Sequence, residues 1–385
     1  MEEARVYRVP DYYKDFECKC GECRRSCCRG WPIAMSMKEY FRLLSLDCSP
    51  ALRRKLDAGL HLADRPEPER YALLLPDWRG ECPLQADDGL CMLHAECGPD
   101  AICEICRLYP RSPRAFSGHE CACSNSCERT LELLFARTEP LGFVEAELVL
   151  PEPEPVTGVP EVVSRHYSAI RGRCIAMLQD RARPLEQRLV RLGRFLSRLD
   201  PAVRAGDGDA IDRVLDEPEG AAAAVSDPAL TLSFLTHFNH SVGLNSVSVC
   251  DYARAAEELM TGGEGEPSAE RFEAVKSRFR QSFPDWQILF EQMLVNHVFY
   301  ESFPFSDRHE NLFEEFLSLV AVYAYSAFLA AAWTFSHPGR EALTDVLAAA
   351  FRLIDHSPFD YNAAVIMERL GIGEAAADGI ITAAL

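Results

Sequence analysis

Residues 316-FLSLVAVYAYSAFLAAAWTF-335 run for twenty positions without a charged side chain. A helix of this length is long enough to cross a lipid bilayer. Against a membrane span, six of the twenty residues are alanine, and neither a basic cluster nor a second such stretch accompanies them. Polar or amphipathic side chains also interrupt the stretch, at Ser318, Tyr323, Tyr325, Ser326 and Thr334. We therefore expect a buried central helix of a bundle, with a membrane span as the alternative.

An amphipathic helix is predicted from residue 185. Leucines recur there at steps of four and three residues, which places them on one helix face. They are Leu185, Leu189, Leu192, Leu196 and Leu199. The arginines of the segment fall on other faces, at Arg188, Arg191, Arg194 and Arg198. We expect these arginines to form a solvated face, the alternative being a docking face for an acidic partner or ligand.

Helical patterns continue to the end of the chain. They predict helices around 250–261, 268–282, 285–302, 308–335 and 340–355, followed by two short helices. Strands and helices do not alternate in this half of the sequence. The predicted fold class is therefore mainly α, with an all-α domain over 161–385.

The charge balance bears on possible partners. The 385 residues carry 40 basic and 59 acidic side chains, a net charge of -19. A field of this sign repels phosphate backbones, so a nucleic-acid partner is not expected. It attracts basic surfaces, and a lysine-bearing protein is therefore the favoured partner.

The cysteines define a separate N-terminal module. Fourteen of the sixteen lie between Cys18 and Cys127, and only Cys174 and Cys250 follow. The module is followed by 151-PEPEPVTGVP-160, which is rich in proline and acid and lacks periodicity. The sequence therefore predicts a small cysteine-rich metal-binding domain over 1–150, a linker over 151–160 and the helical domain over 161–385.

The first residues, MEEARVYRVPDYYKDF, carry charges throughout and contain no apolar run typical of a signal peptide. We therefore expect a cytoplasmic protein. Thiols are kept reduced in the cytoplasm, so dense cysteines there indicate metal binding or redox chemistry rather than a disulfide framework.

The stretch 18-CKCGECRRSCC-28 is the densest part of the module. Thiolates suit zinc and iron-sulfur clusters, and either usually needs about four converging ligands. C-x2-C pairs that zinc would accept occur at Cys20 and Cys23 and at Cys103 and Cys106. The adjacent Cys27 and Cys28 should point apart, which favours either two sites or one site with a neighbouring thiol. A lone histidine such as His94 or His119 is not expected to be a ligand among so many thiols, and Trp31 and Trp78 are expected in the module's core.

The spacings exclude some familiar arrangements. No C-x3-C-x2-C occurs, which argues against a radical S-adenosylmethionine loop, and the ferredoxin run C-x2-C-x2-C-x3-C is absent. No strand precedes a G-x-G-x-x-G turn of the Rossmann type. The sequence therefore offers no standard S-adenosylmethionine pocket.

The succession of these residues resembles the flagellin lysine-N-methylase family. The resemblance lies in Phe16, Cys18, Cys23, Cys27, Cys28, Gly30 and Trp31, then Cys82, Pro83, Gly89, Leu90 and Cys91, then 106-CRLYPR-111, then Cys127 and Glu128. The cysteine-rich part is also similar to a wider group of zinc- or iron-chelating domains. Beyond the linker, 290-FEQMLVNHVFYESFPF-305 is similar to the E-x-x-L-V-N-x-x-F-x-x-x-F-P-F helix of the same family.

The resemblance implies a cytoplasmic enzyme that transfers a methyl group from S-adenosylmethionine to surface lysines of flagellin. It also implies an iron-sulfur cluster of the [4Fe-4S] type, with zinc as the alternative. The family-type metal ligands are Cys18, Cys23, Cys27, Cys28, Cys82, Cys91, Cys106 and Cys127. The remaining thiols of the module, at Cys20, Cys48, Cys97, Cys103, Cys121 and Cys123, fall outside that pattern.

Four residues are candidates for contact with the cofactor or substrate. Glu291 and Asn296 lie on the helix that resembles the family motif, whereas Arg107 and Tyr109 follow a candidate ligand. Each has a structural alternative: Glu291 and Asn296 as links between helices, and Arg107 as a hydrogen-bond or ion-pair donor that locks the domain.

Two other functional classes remain open. One is a non-enzymatic metal carrier or redox sensor, in which Cys27, Cys28 and the additional thiols exchange metal or become oxidised. The other is an interaction module in which zinc only stabilises the N-terminal fold. Iron and sulfide analysis, followed by a test of S-adenosylmethionine binding, separates these classes.

Overall fold

A computed structural model describes residues 3–153, 160–218, 224–263, 265–305 and 311–385. These residues form a mainly α structure, as predicted. The helices are α1 Met37–Leu44, α2 Pro50–Gly59, α3 Met92–Cys97, α4 Glu104–Leu108, α5 Glu128–Phe135, α6 Glu161–Leu178, α7 Leu185–Ala205, α8 Gly208–Asp216, α9 Pro228–Ser241, α10 Cys250–Thr261, α11 Ala269–Ser282, α12 Trp286–Tyr300, α13 Leu312–Ser336, α14 Arg340–His356, α15 Phe359–Arg369 and α16 Glu374–Ala384. The strands are β1 Ala4–Pro10, β2 Ile33–Met35, β3 Leu60–Leu62, β4 Ala72–Leu74, β5 Arg111–Ala115, β6 His119–Cys123 and β7 Phe143–Val149.

The chain divides into two compact units. We call Glu17–Arg111 with Cys127–Arg129 the cysteine unit, and the remainder the helical unit. The helical unit consists of Met1–Phe16, Ser112–Ser126 and Thr130–Leu385. This division differs from the predicted domains 1–150 and 161–385, because both ends of the predicted N-terminal domain belong to the helical unit. The predicted linker falls mostly on 154–159, which lie outside the described residues.

The cysteine unit has a small apolar core. Its three-stranded antiparallel sheet has the order β2-β4-β3. The fully buried leucines Leu43, Leu52 and Leu56 come from α1 and α2 and belong to the same core as this sheet. Trp31 packs against this core as expected, but the prediction for Trp78 is wrong, since that side chain is 87% exposed.

The helical unit contains a four-stranded sheet that the sequence did not predict. Its order is β5-β6-β1-β7. Strand β1 pairs antiparallel with β7 along its whole length and parallel with β6. The sheet therefore joins the start of the chain to segments more than a hundred residues away.

Helix α13 is the centre of the helical unit. It packs against α7, α10, α11, α14, α15 and α16. Among the described residues it is the one helix long and apolar enough to cross a membrane, and 94% of its most apolar 18-residue window is buried. The prediction of a buried central helix is confirmed. Its N-terminus is capped by Asn311, whose side chain accepts a hydrogen bond from the Glu314 backbone N–H.

Helix α7 begins at Leu185 as predicted, and its leucine face is buried. The prediction of a solvated arginine face is wrong for two of its residues. Arg188 is 3% exposed and Arg191 is 9% exposed. Arg191 pairs with Asp180 at 2.9 Å. The partner of Arg188 is Glu291, described below. Because carboxylates from other segments neutralise both guanidinium groups, these arginines can be buried.

Gly193 of α7 gives a testable constraint on this packing. A Cβ added to Gly193 would lie 2.4 Å from the ring of the fully buried Phe316. Overpacking of this kind costs about 1–3 kcal/mol, so Gly193→Ala is expected to have a free energy of unfolding lower by that amount than a glycine-to-alanine variant at an open helical position. Gly172 of α6 is the matched control, because a Cβ there has no atom within 4 Å.

The control substitution, Gly172→Ala, is expected to raise the free energy of unfolding by about 0.5–1 kcal/mol through its effect on helix propensity alone. Urea unfolding of the two variants and the unsubstituted chain measures both changes. Equal stability of Gly193→Ala and Gly172→Ala would contradict the close approach of α7 and α13.

Candidate functional site

The 18–28 stretch is held against residues 80–91 within the cysteine unit. The backbone N–H of Cys82 donates to the Cys28 carbonyl at 2.7 Å, and that of Gly30 donates to the Gly80 carbonyl at 2.8 Å. The chain also makes a close approach at Gly21, where an added Cβ would lie 2.7 Å from the Asp88 carbonyl oxygen. Only glycine fits at this point, and the fit brings the first cysteines towards those of the second segment.

Short helices present the later thiols. Cys91 directly precedes the first residue of α3, and Cys103 has the same position before α4. Cys106 follows within α4, so the C-x2-C pair spans the start of this helix. Cys127, which belongs to the same unit, immediately precedes α5.

The eight predicted ligands form one connected group, in which each thiol lies close enough to another for their charges to interact. Cys28 is a central member, since it interacts with Cys27, Cys82, Cys91 and Cys106, and Cys106 also interacts with Cys27, Cys82 and Cys91. Cys127 interacts with both Cys23 and Cys27, and Cys23 also interacts with Cys18. The structure thus places the thiols that the resemblance selected in one neighbourhood of the cysteine unit, while their convergence on a metal and their role as ligands stay a prediction.

One further thiol joins this group. Cys103 is buried and interacts with Cys82, Cys91 and Cys106. It lies outside the family-type pattern, although the C-x2-C spacing to Cys106 was a signal for it. Of the other additional thiols, Cys20 interacts with Cys18. Cys48 and Cys97 lie near each other, and Cys121 and Cys123 belong to the helical unit.

Burial and repulsion between neighbouring thiolates raise the pKa of several of these thiols, which favours their protonated form in the metal-free chain. Burial raises the pKa of Cys23 and of Cys82 to about 12 in each case. A hydrogen bond to Cys28, followed by burial, raises the pKa of Cys27. The Cys106 residue is exposed overall, yet burial of its sulfur, followed by repulsion from neighbouring thiolates such as that of Cys103, raises that thiol's pKa. A metal ion that binds here must displace these protons. The free energy of the metal–thiolate bonds must therefore exceed the free energy needed to deprotonate the thiols.

Glu128 holds the 18–28 stretch in place through hydrogen bonds and ion pairs. Its side chain is fully buried, and it accepts hydrogen bonds from Lys19 Nζ at 2.5 Å and from the Arg25 backbone N–H at 2.9 Å. Arg24 Nη1 lies 3.4 Å from the same carboxylate. Burial opposes ionisation, but these partners outweigh it and lower the pKa of Glu128 below its ordinary value of 4.5. Sequence reasoning noted Glu128 only as part of a motif and missed this positioning role.

Replacing Glu128 with alanine is expected to loosen the 18–28 stretch, because Lys19 and Arg25 lose their shared acceptor. Hydrogen exchange of the Arg25 amide should accelerate at least about tenfold, the equivalent of losing one charge-assisted hydrogen bond. In the unsubstituted chain this protection should be complete above pH 4.5 and should be lost as the pH falls through the lower folded-state pKa. The exposed Glu104 provides a control, and similar exchange rates in Glu128→Ala and Glu104→Ala would contradict this role.

Arg107 and Tyr109 have partners within the cysteine unit. Arg107 Nη2 lies 3.9 Å from Glu104 Oε2 in a largely exposed pair. The Tyr109 ring packs against Trp31, with ring centroids 5.5 Å apart. These contacts fix the segment that carries Cys106, and cofactor contact by either side chain stays a prediction.

Glu291 is fully buried in the helical unit and is held by two guanidinium groups. Arg181 donates from Nε to Oε2 at 2.9 Å and from Nη2 to Oε1 at 2.8 Å. Arg188 Nη1 donates to Oε2 at 2.7 Å. The carboxylate therefore ties α12 to α7 and to the turn before it. This is the structural alternative considered for Glu291, and cofactor contact stays a prediction.

Asn296 has a similar linking role one turn further along α12. Its Oδ1 accepts from the Tyr12 hydroxyl at 2.8 Å, and its Nδ2 donates to the Cys123 carbonyl at 2.9 Å and to Asn125 Oδ1 at 2.8 Å. The side chain is fully buried. It therefore connects α12 with the end of β6 and with the 3-10 segment that follows β1. Glu291 and Asn296 belong to the helical unit, whereas Arg107 and Tyr109 belong to the cysteine unit.

Comparison with known proteins places most of the helical unit in a described family. Residues 171–369, more than half of the chain, match the FliB lysine N-methylase C-terminal domain. The chain belongs to this family. The matched region contains α12 with Glu291 and Asn296, and also the central helix α13.

Curated relatives of this chain include three proteins of Salmonella. A lysine-N-methylase of Salmonella choleraesuis is 28% identical over 110 residues, which are 28% of this chain and 26% of the relative. A lysine-N-methylase of Salmonella typhimurium is 27% identical over the same shares. The flagellar biosynthetic protein FliU of Salmonella muenchen is 26% identical over 28% of this chain and 63% of its own length. The match thus spans about a quarter of the two methylases, and no solved structure matches the chain.

Proposed function

We propose that this protein is a lysine N-methyltransferase that uses S-adenosylmethionine to methylate flagellin, and that its cysteine unit binds an iron-sulfur cluster of the [4Fe-4S] type. The observation that carries the proposal is the family match over 171–369. Two relatives bear the name lysine-N-methylase, and a third is named as a flagellar biosynthetic protein. These names support a protein substrate with flagellar origin.

The cysteine unit fits the proposed cluster by its donor chemistry. Soft thiolates are the ligands that iron-sulfur clusters require, and the unit gathers eight family-type thiols and Cys103 into one group. The thiols centred on Cys28 would hold the metal, and Glu128 would keep the first segment in place. A cluster bound there would supply a one-electron redox centre and would cross-link the segments that carry the cysteines. Zinc would supply only the cross-link.

The proposed methyl transfer requires that the substrate lysine is first deprotonated. A lysine amine has an ordinary pKa near 10.4 and must lose a proton before its nitrogen can react. The nitrogen lone pair then forms a bond to the methyl carbon while the bond from that carbon to the sulfonium sulfur breaks. S-adenosylhomocysteine leaves, and the positive charge of the sulfonium passes to the methylated amine, which stays protonated at neutral pH. The net charge of -19 favours the approach of a lysine-bearing surface.

The proposal is tested with anaerobically purified full-length protein. We expect a brown protein that contains iron and sulfide, binds S-adenosylmethionine and raises the intact mass of flagellin by whole methyl groups. A flagellin mass that does not change, although the protein contains its metal and binds S-adenosylmethionine, overturns the substrate. A colourless protein that contains zinc overturns the cluster, and a metal-loaded protein that fails to bind S-adenosylmethionine supports the non-enzymatic metal-binding alternative instead.

A further inference from the structure

A second group of metal-ligating side chains lies in the helical unit, separate from the cysteines. It consists of His297, Glu301 and Asp355, and one ligand atom of each lies within 4.8 Å of the other two. His297 is in the last turn of α12, and Glu301 directly follows that helix. Asp355 is in the last turn of α14. Two helix ends therefore bring one imidazole and two carboxylates together.

The local backbone explains why two of these side chains share a face. His297 and Glu301 are four residues apart, and the Glu301 backbone N–H donates to the His297 carbonyl at 2.9 Å. This hydrogen bond continues the helical geometry, in which residues four apart lie one above the other. The sequence therefore presents an imidazole and a carboxylate in the same direction, towards Asp355.

The spacing of the ligand atoms suits a single ion. His297 Nδ1 and Asp355 Oδ1 are 3.6 Å apart, which is longer than a hydrogen bond. Ligand atoms that share a first-row divalent ion at about 2.0–2.2 Å lie about 3.0–3.6 Å from each other. The histidine and aspartate therefore already have the separation that two ligands of one ion require, and both atoms are buried.

The charges of the three side chains also favour a bound cation. The Asp355 side chain is fully buried and Glu301 is 7% exposed, so two carboxylates repel each other where water screens them little. Arg114 provides a positive charge on one side of the group, where its Nη2 lies 3.6 Å from Glu301 Oε2. A divalent cation between the three side chains would neutralise both carboxylates.

Asp355 is also oriented from behind, as metal-ligating carboxylates usually are. The Ser124 hydroxyl donates to Asp355 Oδ2, which leaves Oδ1 directed at His297. Ser124 Oγ in turn accepts from the Ser126 backbone N–H at 2.9 Å. The serines belong to the segment after β6, so a third element of the helical unit fixes the geometry of the group.

We propose that His297, Glu301 and Asp355 bind one divalent first-row transition-metal ion. Three protein ligands leave coordination positions for water or a ligand oxygen, as in metal sites that take part in chemistry. The imidazole and carboxylate ligands suit Mn²⁺, Fe²⁺ and Zn²⁺, whereas the thiols of the cysteine unit suit softer metals and clusters. The site is therefore distinct from the cysteine group in its residues and in the harder character of its ligands.

Mn²⁺ is the probe for this site, because thiolates compete for it poorly. Full-length protein is titrated with Mn²⁺, and the loss of the free-ion electron paramagnetic resonance signal measures binding. We expect one Mn²⁺ per chain, and a fall in affinity of at least about tenfold in His297→Gln and in Asp355→Asn. Uptake of no Mn²⁺ by the unsubstituted chain, or equal affinity in Asp355→Asn, overturns the site.

The control is His240→Gln. His240 Nδ1 lies 3.5 Å from Glu257 Oε1, a similar histidine–carboxylate pair that is exposed and has two members instead of three. This variant should bind Mn²⁺ like the unsubstituted chain. If a ligand variant fails to fold, Ser124→Ala provides the test, because it removes the hydrogen bond that orients Asp355 and leaves all three ligands in place. An affinity about tenfold lower, with a changed spectrum of bound Mn²⁺, supports the site. An affinity equal to that of the unsubstituted chain overturns it.

Discussion

Replacing Cys28 with serine is expected to reduce the metal content of the anaerobically purified protein at least about tenfold, and the methylation of flagellin with it. Cys28 interacts with four other thiols of the group, Cys27, Cys82, Cys91 and Cys106, and it lies on the segment that carries half of the predicted ligands. A serine hydroxyl does not ionise at neutral pH and is a harder donor than a thiolate. The substitution therefore removes a soft ligand at the centre of the group while it hardly alters volume.

The matched control is Cys250→Ser. Cys250 begins α10 in the helical unit and donates to Asp251 at 3.8 Å, outside the thiol group. Iron, zinc and sulfide analysis of both variants, with intact mass of flagellin after incubation with S-adenosylmethionine, measures the two effects. Normal metal content in Cys28→Ser would exclude a role for the centre of this group in metal binding. Lost metal with normal methylation would separate the metal from the proposed activity.

Local sequence patterns predicted several helices of the second half of the chain well. Helices α10–α14 begin and end within a few residues of the predicted ranges, and α7 begins at the predicted residue. Helix α13 was recognised because twenty uncharged residues with scattered tyrosine and serine match a helix buried on all sides. Helix α6 was overlooked, although Val163, Tyr167, Ile170 and Cys174 recur at helical spacing and are buried.

The four-stranded sheet could not be predicted in the same way. Strand β1 has the alternation of a half-buried strand, with Tyr7 and Val9 buried and Val6 exposed. Its register is set by β7, from Ala4 opposite Val149 to Pro10 opposite Phe143. Such long-range pairing depends on tertiary structure and not on local preference. For this reason, the start of the chain was assigned to the cysteine-rich domain.

The cysteine group was predicted by residue type and succession, and the structure adds what spacing could not show. Cys103 joins the group through burial beside Cys82 and Cys91, which a one-dimensional pattern does not encode. In the sequence, Glu128 could be recognised only as part of a family motif, because its partners Lys19 and Arg25 lie about a hundred residues earlier. The His297 group was missed for the same reason, since Asp355 comes from another helix.

Replacing Glu291 with alanine is expected to lower the free energy of unfolding by about 3–5 kcal/mol, the range for breaking a buried ion pair on one side. Arg188 would remain almost fully buried without its carboxylate, whereas Arg181 is 28% exposed and would retain access to water. Most of the loss should therefore come from Arg188. Urea unfolding with an apolar double-mutant cycle tests this: Arg188→Leu should cost much less in Glu291→Leu than in the unsubstituted chain.

Glu161→Ala is the control for this experiment, because Glu161 is a helical glutamate that is 87% exposed and lies 3.9 Å from Arg165. An exposed pair of this kind should change the free energy of unfolding by less than about 0.5 kcal/mol. Glu291→Gln should fall between the two, since it retains an acceptor oxygen but loses the charge. A Glu291→Ala variant as stable as Glu161→Ala would show that the carboxylate does not hold α12 to α7. The carboxylate of Glu291 would then be available for the cofactor contact predicted from the motif that contains it.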